Sequence, residues 1–215
     1  YLSKRTGNEY PKENILITPG SKEAMLLIHI AFNGEIIIPA PGWVSYEPQA
    51  EIGSNKVHWL ETTRENNWFP TGKELEKKIK SVGKNKNLIL ILNSPNNPSG
   101  TVCETLNELA KIAKKYKIMV LSDEIYTDLT FSNEYNSISK FYPELTFITG
   151  GLSKWCGAGG WRLGFLAVPK KLTEFLNGYT SQGYSIKAVQ RESRRMLLFF
   201  SREAFIIFLE RSKPL

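Results

Sequence analysis

Short apolar runs alternate along this chain with stretches whose apolar residues recur at helical spacing. The runs at 15–17, 35–39, 56–60, 88–92, 118–122, 146–149 and 163–168 predict strands. Three of them, Ile36-Ile37-Ile38, Leu88 to Leu92 and Ile118 to Leu121, are continuous rather than alternating. That pattern belongs to parallel strands covered on both faces. Between them, Ala24, Ile28 and Ala31 form a stripe behind Ser21, and Leu106, Leu109, Ala110 and Ala113 form another within 104–116. These predict helices, as do the charged stretch 72–81 and the turn at 40–46 that opens a further one. Residues 1–14 read as a helix end and a turn, and 170–179 as the start of a last helix. Strands and helices in alternation predict an α/β fold, a three-layer, doubly wound and mostly parallel sheet. We expect a large domain over 1–180. The segment 181–215 reads as divergent and helical, basic and apolar, without an evident partner for its Phe and Ile residues.

Composition narrows the classes. The 215 residues carry a formal charge of +7. The basic side chains, such as Lys111, Lys114, Lys115 and Lys117, are spread over predicted helix faces and are not interleaved with aromatics, which argues against a nucleic-acid groove. No apolar run approaches the roughly 20 residues that span a bilayer. Two cysteines, Cys103 and Cys156, cannot build a disulfide framework and fit a reducing compartment, the cytoplasm or an organelle. The chain starts at Tyr1 without a methionine, so we expect its native N-terminus to lie upstream. His29 and His58 sit in apolar patterns without metal-ligand spacing and are expected to be structural.

Polar residues collect where the predicted strands end. Gly20-Ser21-Lys22 opens a helix, whose free N–H groups attract anions. Trp43 follows the second strand and Asn97 the fourth. Asp123 and Tyr126 follow the fifth. Lys154 and Arg162 share the glycine-rich loop after the sixth. In a doubly wound sheet, ligands bind at this edge. An amine forms a Schiff base with an aldehyde, and a guanidinium grips a phosphate bidentately. Together they point to a phosphorylated aldehyde, of which pyridoxal 5′-phosphate is the common one. A buried carboxylate such as Asp123 keeps its ring nitrogen protonated. Asn97 and Tyr126 can donate to its phenolic oxygen, and Trp43 can stack on its ring. Once substrate displaces it, the Lys154 amine can move the substrate's Cα proton.

The motifs Thr18-Pro-Gly-Ser-Lys-Glu-Ala24, Pro39-Ala-Pro-Gly-Trp-Val-Ser-Tyr46, Asn93-Ser-Pro-Asn-Asn-Pro-Ser-Gly100, Ser122-Asp-Glu-Ile-Tyr126 and Ser153-Lys154 through Gly160-Trp-Arg-Leu-Gly164 resemble, in order, those of the class I/II aminotransferases of pyridoxal-phosphate fold type I. The resemblance covers about residues 1–180. It implies that Lys154 forms the internal aldimine, Asp123 meets the pyridine nitrogen and Arg162 holds the phosphate. It implies Asn97 and Tyr126 on the phenolic oxygen, Trp43 on the ring and Gly20, Ser21 and Lys22 at the phosphate, with Ser153 as a further hydroxyl there. It also implies amino-acid and 2-oxo-acid substrates and a homodimer of the full-length protein. Family members are roughly twice as long, so a truncated chain is expected, lacking an N-terminal arm and most of a small C-terminal domain. A lyase or synthase of the same fold and a catalytically silent cofactor-binding fragment are the alternatives.

Overall fold

The computed structural model describes residues 1–131 and 136–170, together with Leu172. One compact unit runs over Tyr1–Lys171. The helix expected from 170 onward and the segment 181–215 lie outside the described residues.

Among the described residues, seven strands form one sheet: β1 (Ile15–Thr18), β2 (Glu35–Ala40), β3 (Lys56–Glu61), β4 (Leu88–Asn93), β5 (Met119–Asp123), β6 (Thr146–Gly151) and β7 (Gly164–Ala167). Their order is β1-β7-β6-β5-β4-β2-β3. The pairs β2/β3, β2/β4, β4/β5 and β5/β6 are parallel. β7 is antiparallel to both β6 and β1. Only β4 is buried at every position. It lies at the centre of the sheet with both faces covered, so no residue of it can be polar except at the end, where Asn93 stands.

Among the described residues, five α-helices accompany the strands: α1 (Leu2–Thr6), α2 (Ser21–Ala31), α3 (Tyr46–Ile52), α4 (Gly72–Val82) and α5 (Leu106–Tyr116). The α4 start follows from Thr71 and Glu74, which cap each other's backbone N–H groups in a capping box. One face of the sheet packs Ile37, Leu90, Leu92 and Val120 against Leu75, Ile79, Leu109 and Ala113 of α4 and α5. The other packs Ile36, Ile38, Ile89, Ile91 and Leu121 against Ala24, Met25, Ile28, Tyr46 and Ala50 of α2 and α3. The alternation of Ile36 and Ile38 with Ile37, and of Ile89 and Ile91 with Leu90, divides each strand between two cores. Helix α5 begins at Leu106 rather than at 104, because Thr105 has left helical geometry.

Both histidines have structural surroundings. His58 pairs with Glu35, which also holds Lys86 at the opposite end of the sheet from the polar strand ends. His29 is wholly buried in α2, and burial pushes its imidazole down to about 4, an effect the neighbouring Asn55 amide opposes. It is therefore a neutral core residue at physiological pH.

One approach of two backbones sets the geometry of the β1 side. Gly164 faces Thr18 in the β1/β7 register, and the turn from β1 into α2 runs across it. A Cβ at Gly164 would lie 2.3 Å from the Gly20 carbonyl carbon and 2.5 Å from Ser21 N. No neighbouring side chain can move aside, since the obstacle is main chain. We predict that Gly164→Ala destabilises the fold by about 1–3 kcal/mol through overpacking. Gly160→Ala, where a Cβ meets nothing within 4 Å, should stay within about 0.5 kcal/mol of the parent. Chemical denaturation of the two variants checks the contrast.

Candidate active site

The parallel strands all end at one edge, and each polar strand end predicted above arrives there. Asp123 is the last residue of β5, 3% exposed, with Asn93 of β4 and Thr149 of β6 beside it in register. Its Oδ2 accepts a hydrogen bond from the Tyr46 hydroxyl at 2.7 Å. Its Oδ1 accepts longer bonds from Ile125 N at 3.3 Å and Thr149 Oγ1 at 3.4 Å. Burial pushes the Asp123 carboxyl up, while Tyr46, Ile125 N, Thr149 and the charge of Lys154 pull it back.

Asn93 ties two loops together. Its amide donates to the Asp123 carbonyl at 2.9 Å, and its side-chain oxygen accepts from Asn97 N at 2.8 Å. Asn97 is thereby held over the sheet edge, with its Nδ2 3.4 Å from the Tyr126 hydroxyl. Lys154 stands in the loop beyond β6, with Nζ 5.6 Å from the Tyr126 ring centroid. Lys154, Tyr126, Asn97 and Asp123 therefore form one group.

Arg162 forms the second pole. Its backbone adopts the left-handed conformation, φ 50°. Its guanidinium donates to Gly159 O at 2.9 Å and to Pro19 O at 3.1 Å. A Cβ on Gly20 would fall 2.3 Å from Arg162 Nη2, so only glycine lets the arginine lie this close to the start of α2. That helix has no side-chain N-cap. A helix N-terminus with free N–H groups beside a guanidinium is a site for an anion, a phosphate above all. Arg162 gets there because β7 runs antiparallel to β6. It precedes a strand that starts at this edge, rather than following one that ends here.

Trp43 is half-buried, its ring edge-on to Tyr46 at 5.4 Å and 83°. The Lys22 ammonium lies 5.0 Å from the Trp43 centroid, which places the lysine side chain, and not only its backbone, at the site. Ser153 takes part in none of these contacts. Three residues without an assigned role in the sequence reading prove central: Tyr46, Asn93 and Thr149. Asn93 and Thr149 carry a signal, since each is polar at the end of an apolar strand. Tyr46 carries none, because an aromatic in an apolar helix face reads as core.

A cavity lies apart from this group. It measures about 220 Å³ and is lined by Glu124, Asp128, Leu152, Trp155, Leu163 and Phe165 among others. None of Lys154, Asp123, Asn97 or Arg162 faces it. Glu124 turns away from the Asp123 side and accepts bonds on Oε1 from Ser122 at 2.9 Å and Ser137 at 2.6 Å. Among the described residues its Oε2 has no hydrogen-bond partner. Burial pushes this carboxyl up to about 7, although Ser137, Ser122 and Arg5 oppose the shift. Among the described residues no cluster of His, Cys, Asp or Glu could hold a metal, and no helix is long and apolar enough to cross a membrane.

A mostly parallel α/β sheet thus carries an amine, a buried carboxylate and an uncapped helix start beside a guanidinium along one edge. Comparison with known proteins sharpens the class. The model of the family "Aminotransferase class I and II" matches residues 1–204, and the chain belongs to that family. The match continues past residue 180, where the recognisable motifs end. The chain is 31% identical to an aspartate aminotransferase of Thermotoga maritima over 96% of its own length and 59% of the relative's. It is 36% identical to aromatic-amino-acid aminotransferase 2 of Thermococcus litoralis over 76% of the chain and 43% of that protein. Among solved structures, an aspartate aminotransferase tetra mutant of Thermus thermophilus superimposes with a TM-score of 0.77 at 27% identity, covering 98% of this chain and 58% of that one. The chain thus spans about half the length of the relatives it matches. Aminotransferases of this family depend on pyridoxal phosphate.

Glu124 supplies a test of the buried polar network. Its folded value lies above the ordinary 4.5. Its contribution to stability is therefore fully present below pH 4.5 and lost as the pH rises through about 7. Glu124→Gln keeps the acceptor for Ser122 and Ser137 but cannot ionise. Between pH 4.5 and 8 the variant should gain about 1–3 kcal/mol relative to the parent, read from denaturation midpoints across that range.

Proposed function

We propose that this chain carries the cofactor-binding half of an aminotransferase, moving an amino group between an amino acid and a 2-oxo acid with pyridoxal 5′-phosphate. The observation that carries the reading is the convergence, at one sheet edge, of the Lys154 amine, the buried Asp123 carboxylate and the Arg162 guanidinium on the uncapped start of α2. The residues fit the group. Glycine at position 20 lets the Arg162 guanidinium lie against the uncapped start of α2, where a Cβ would fall 2.3 Å from Nη2, so guanidinium and free N–H groups stand together as a phosphate requires. The buried Asp123 carboxylate suits a protonated ring nitrogen. When bound, the cofactor supplies an aldehyde carbon and a ring that stabilises negative charge at a substrate's Cα.

In this reading Arg162 and the N–H groups of Ser21 and Lys22 hold the phosphate. Asp123 keeps the ring nitrogen protonated, while Asn97 and Tyr126 donate to the phenolic oxygen. Trp43 covers the ring face, and the hydroxyl of Ser153 adds to the phosphate contacts. Lys154 would be the residue that holds the cofactor through its aldehyde carbon, water being released, and its amine, once a substrate amine had taken that place, would be the base for the substrate's Cα proton. Lys154 is the least of the groups that offset the burial of Asp123, after Tyr46, Ile125 N and Thr149. Relatives named for aspartate and for aromatic amino acids suggest these as donors. The exposed Trp161 and Val44, 76% and 81% accessible beside the site loops, support a second copy as the partner in the full-length protein.

Purified with pyridoxal phosphate, the protein should show the visible absorption of the lysine-bound cofactor, and Lys154→Ala should lose it. An unchanged band in that variant would sink the assignment. Arg162→Ala should weaken pyridoxal phosphate about 10- to 100-fold and leave pyridoxal, which lacks the phosphate, within about 3-fold. Aspartate, phenylalanine and a panel of other amino acids are then added to the loaded protein. Conversion to the pyridoxamine form marks an aminotransferase, release of pyruvate or ammonia marks a lyase, and an inert spectrum marks a silent cofactor-binding fragment.

A further inference from the structure

Tyr46 opens α3 and is 1% exposed. A phenol hydroxyl taken out of water needs a partner, and the partner here is Asp123 Oδ2 at 2.7 Å, 77 residues away in the chain. The other oxygen of that carboxylate has only the two long bonds from Ile125 N and Thr149. Tyr46 thus provides the shortest hydrogen bond to Asp123 and, of the groups that offset its burial, the strongest. Burial and the neighbouring Asp123 charge push the phenol well above its ordinary range, so the Tyr46 hydroxyl keeps its proton and donates it to the carboxylate at neutral pH. The same turn sets Trp43, whose ring meets Tyr46 edge-on.

We propose that Tyr46 is a positioning residue that holds the Asp123 carboxylate in the orientation and charge state a protonated ring nitrogen requires. The proposal rests on the reading of Asp123 given above. The hydroxyl occupies Oδ2 and fixes the carboxylate plane, which directs the remaining lone pairs toward the sheet edge where Asn97, Tyr126 and Lys154 converge. Without that donor, Asp123 binds a proton more tightly and leaves less positive charge on the ring. A less positive ring raises the proton affinity of the nitrogen that links the cofactor to Lys154. The charged and titratable groups acting on the pair are Lys154, from the loop after β6, Tyr126, from the segment after β5, and Glu124, next in the chain to Asp123 and coupled to its charge.

The test is a pH titration of the visible absorption of the protein loaded with pyridoxal phosphate. Tyr46→Phe keeps the ring against Trp43 and removes only the hydroxyl. Its midpoint should rise by about half a pH unit or more, and its affinity for pyridoxal phosphate should fall several-fold. Asp123→Asn should move the midpoint further in the same direction. Replacing Tyr46 with 3,5-difluorotyrosine, a stronger donor of nearly the same shape, should move it the opposite way. A purely structural role would move thermal stability and leave the midpoint alone. If Asp123→Asn shifts the midpoint and Tyr46→Phe matches the parent, the role of Tyr46 is overturned and the reading of Asp123 stands. An unmoved midpoint in Asp123→Asn overturns both. Should Tyr46→Phe not fold, the difluorotyrosine protein decides alone, and a midpoint equal to the parent's rejects the proposal.

Discussion

A carboxylate held out of water at the end of a central strand is the constraint around which this fold is arranged. Taking an ionised carboxylate from water costs several kcal/mol unless hydrogen bonds or opposite charge replace the lost hydration. At Asp123 the replacements come from elements on both sides. Tyr46 reaches in from α3, Thr149 from β6 and the Ile125 N–H from the turn that follows β5. Asn93 binds the Asp123 main chain and in the same gesture orients Asn97. The surroundings of one side chain therefore decide where the end of β4, the start of α3 and the loop after β6 must lie. The charge of Lys154 completes the balance from the open side.

The second pole depends on backbone proximity rather than on side-chain chemistry. Gly164 lets the β1–α2 turn lie on β7, and Gly20 lets Arg162 lie on that turn. The two glycines are consecutive layers of one stack: strand, turn, guanidinium. Negative charge is thus concentrated at Asp123 and positive charge at Arg162 and the start of α2, along the same sheet edge. A ligand with a basic ring nitrogen at one end and a phosphate at the other matches that polarity.

Two consecutive acidic residues meet opposite fates here. Asp123 is balanced by several donors and lies near a cation. Glu124, facing the other way, has two serine hydroxyls on one oxygen and, among the described residues, none on the other. Its carboxyl is correspondingly raised to about 7 and lines a cavity away from the candidate site. Environment, not residue type, separates the two roles.

The strands, the helices and the edge at which the polar residues collect were legible in the chain, because hydrophobic periodicity reports burial locally. The continuous run of β4 read as a central strand and proved to be one. The direction of β7 was less apparent. Its apolar pattern is the same for either direction, and the clue lay in the loop before it, which is rich in glycine and too poor in helical pattern for a parallel crossover. The sequence by itself determined the element order, the two-sided core and the polar residues that gather where the strands end. Only the tertiary structure decided which groups support them. The Tyr46 hydroxyl finds Asp123, and Gly164 admits the turn that carries Gly20, through distances set by packing between elements far apart in the chain, and no local pattern encodes such a distance.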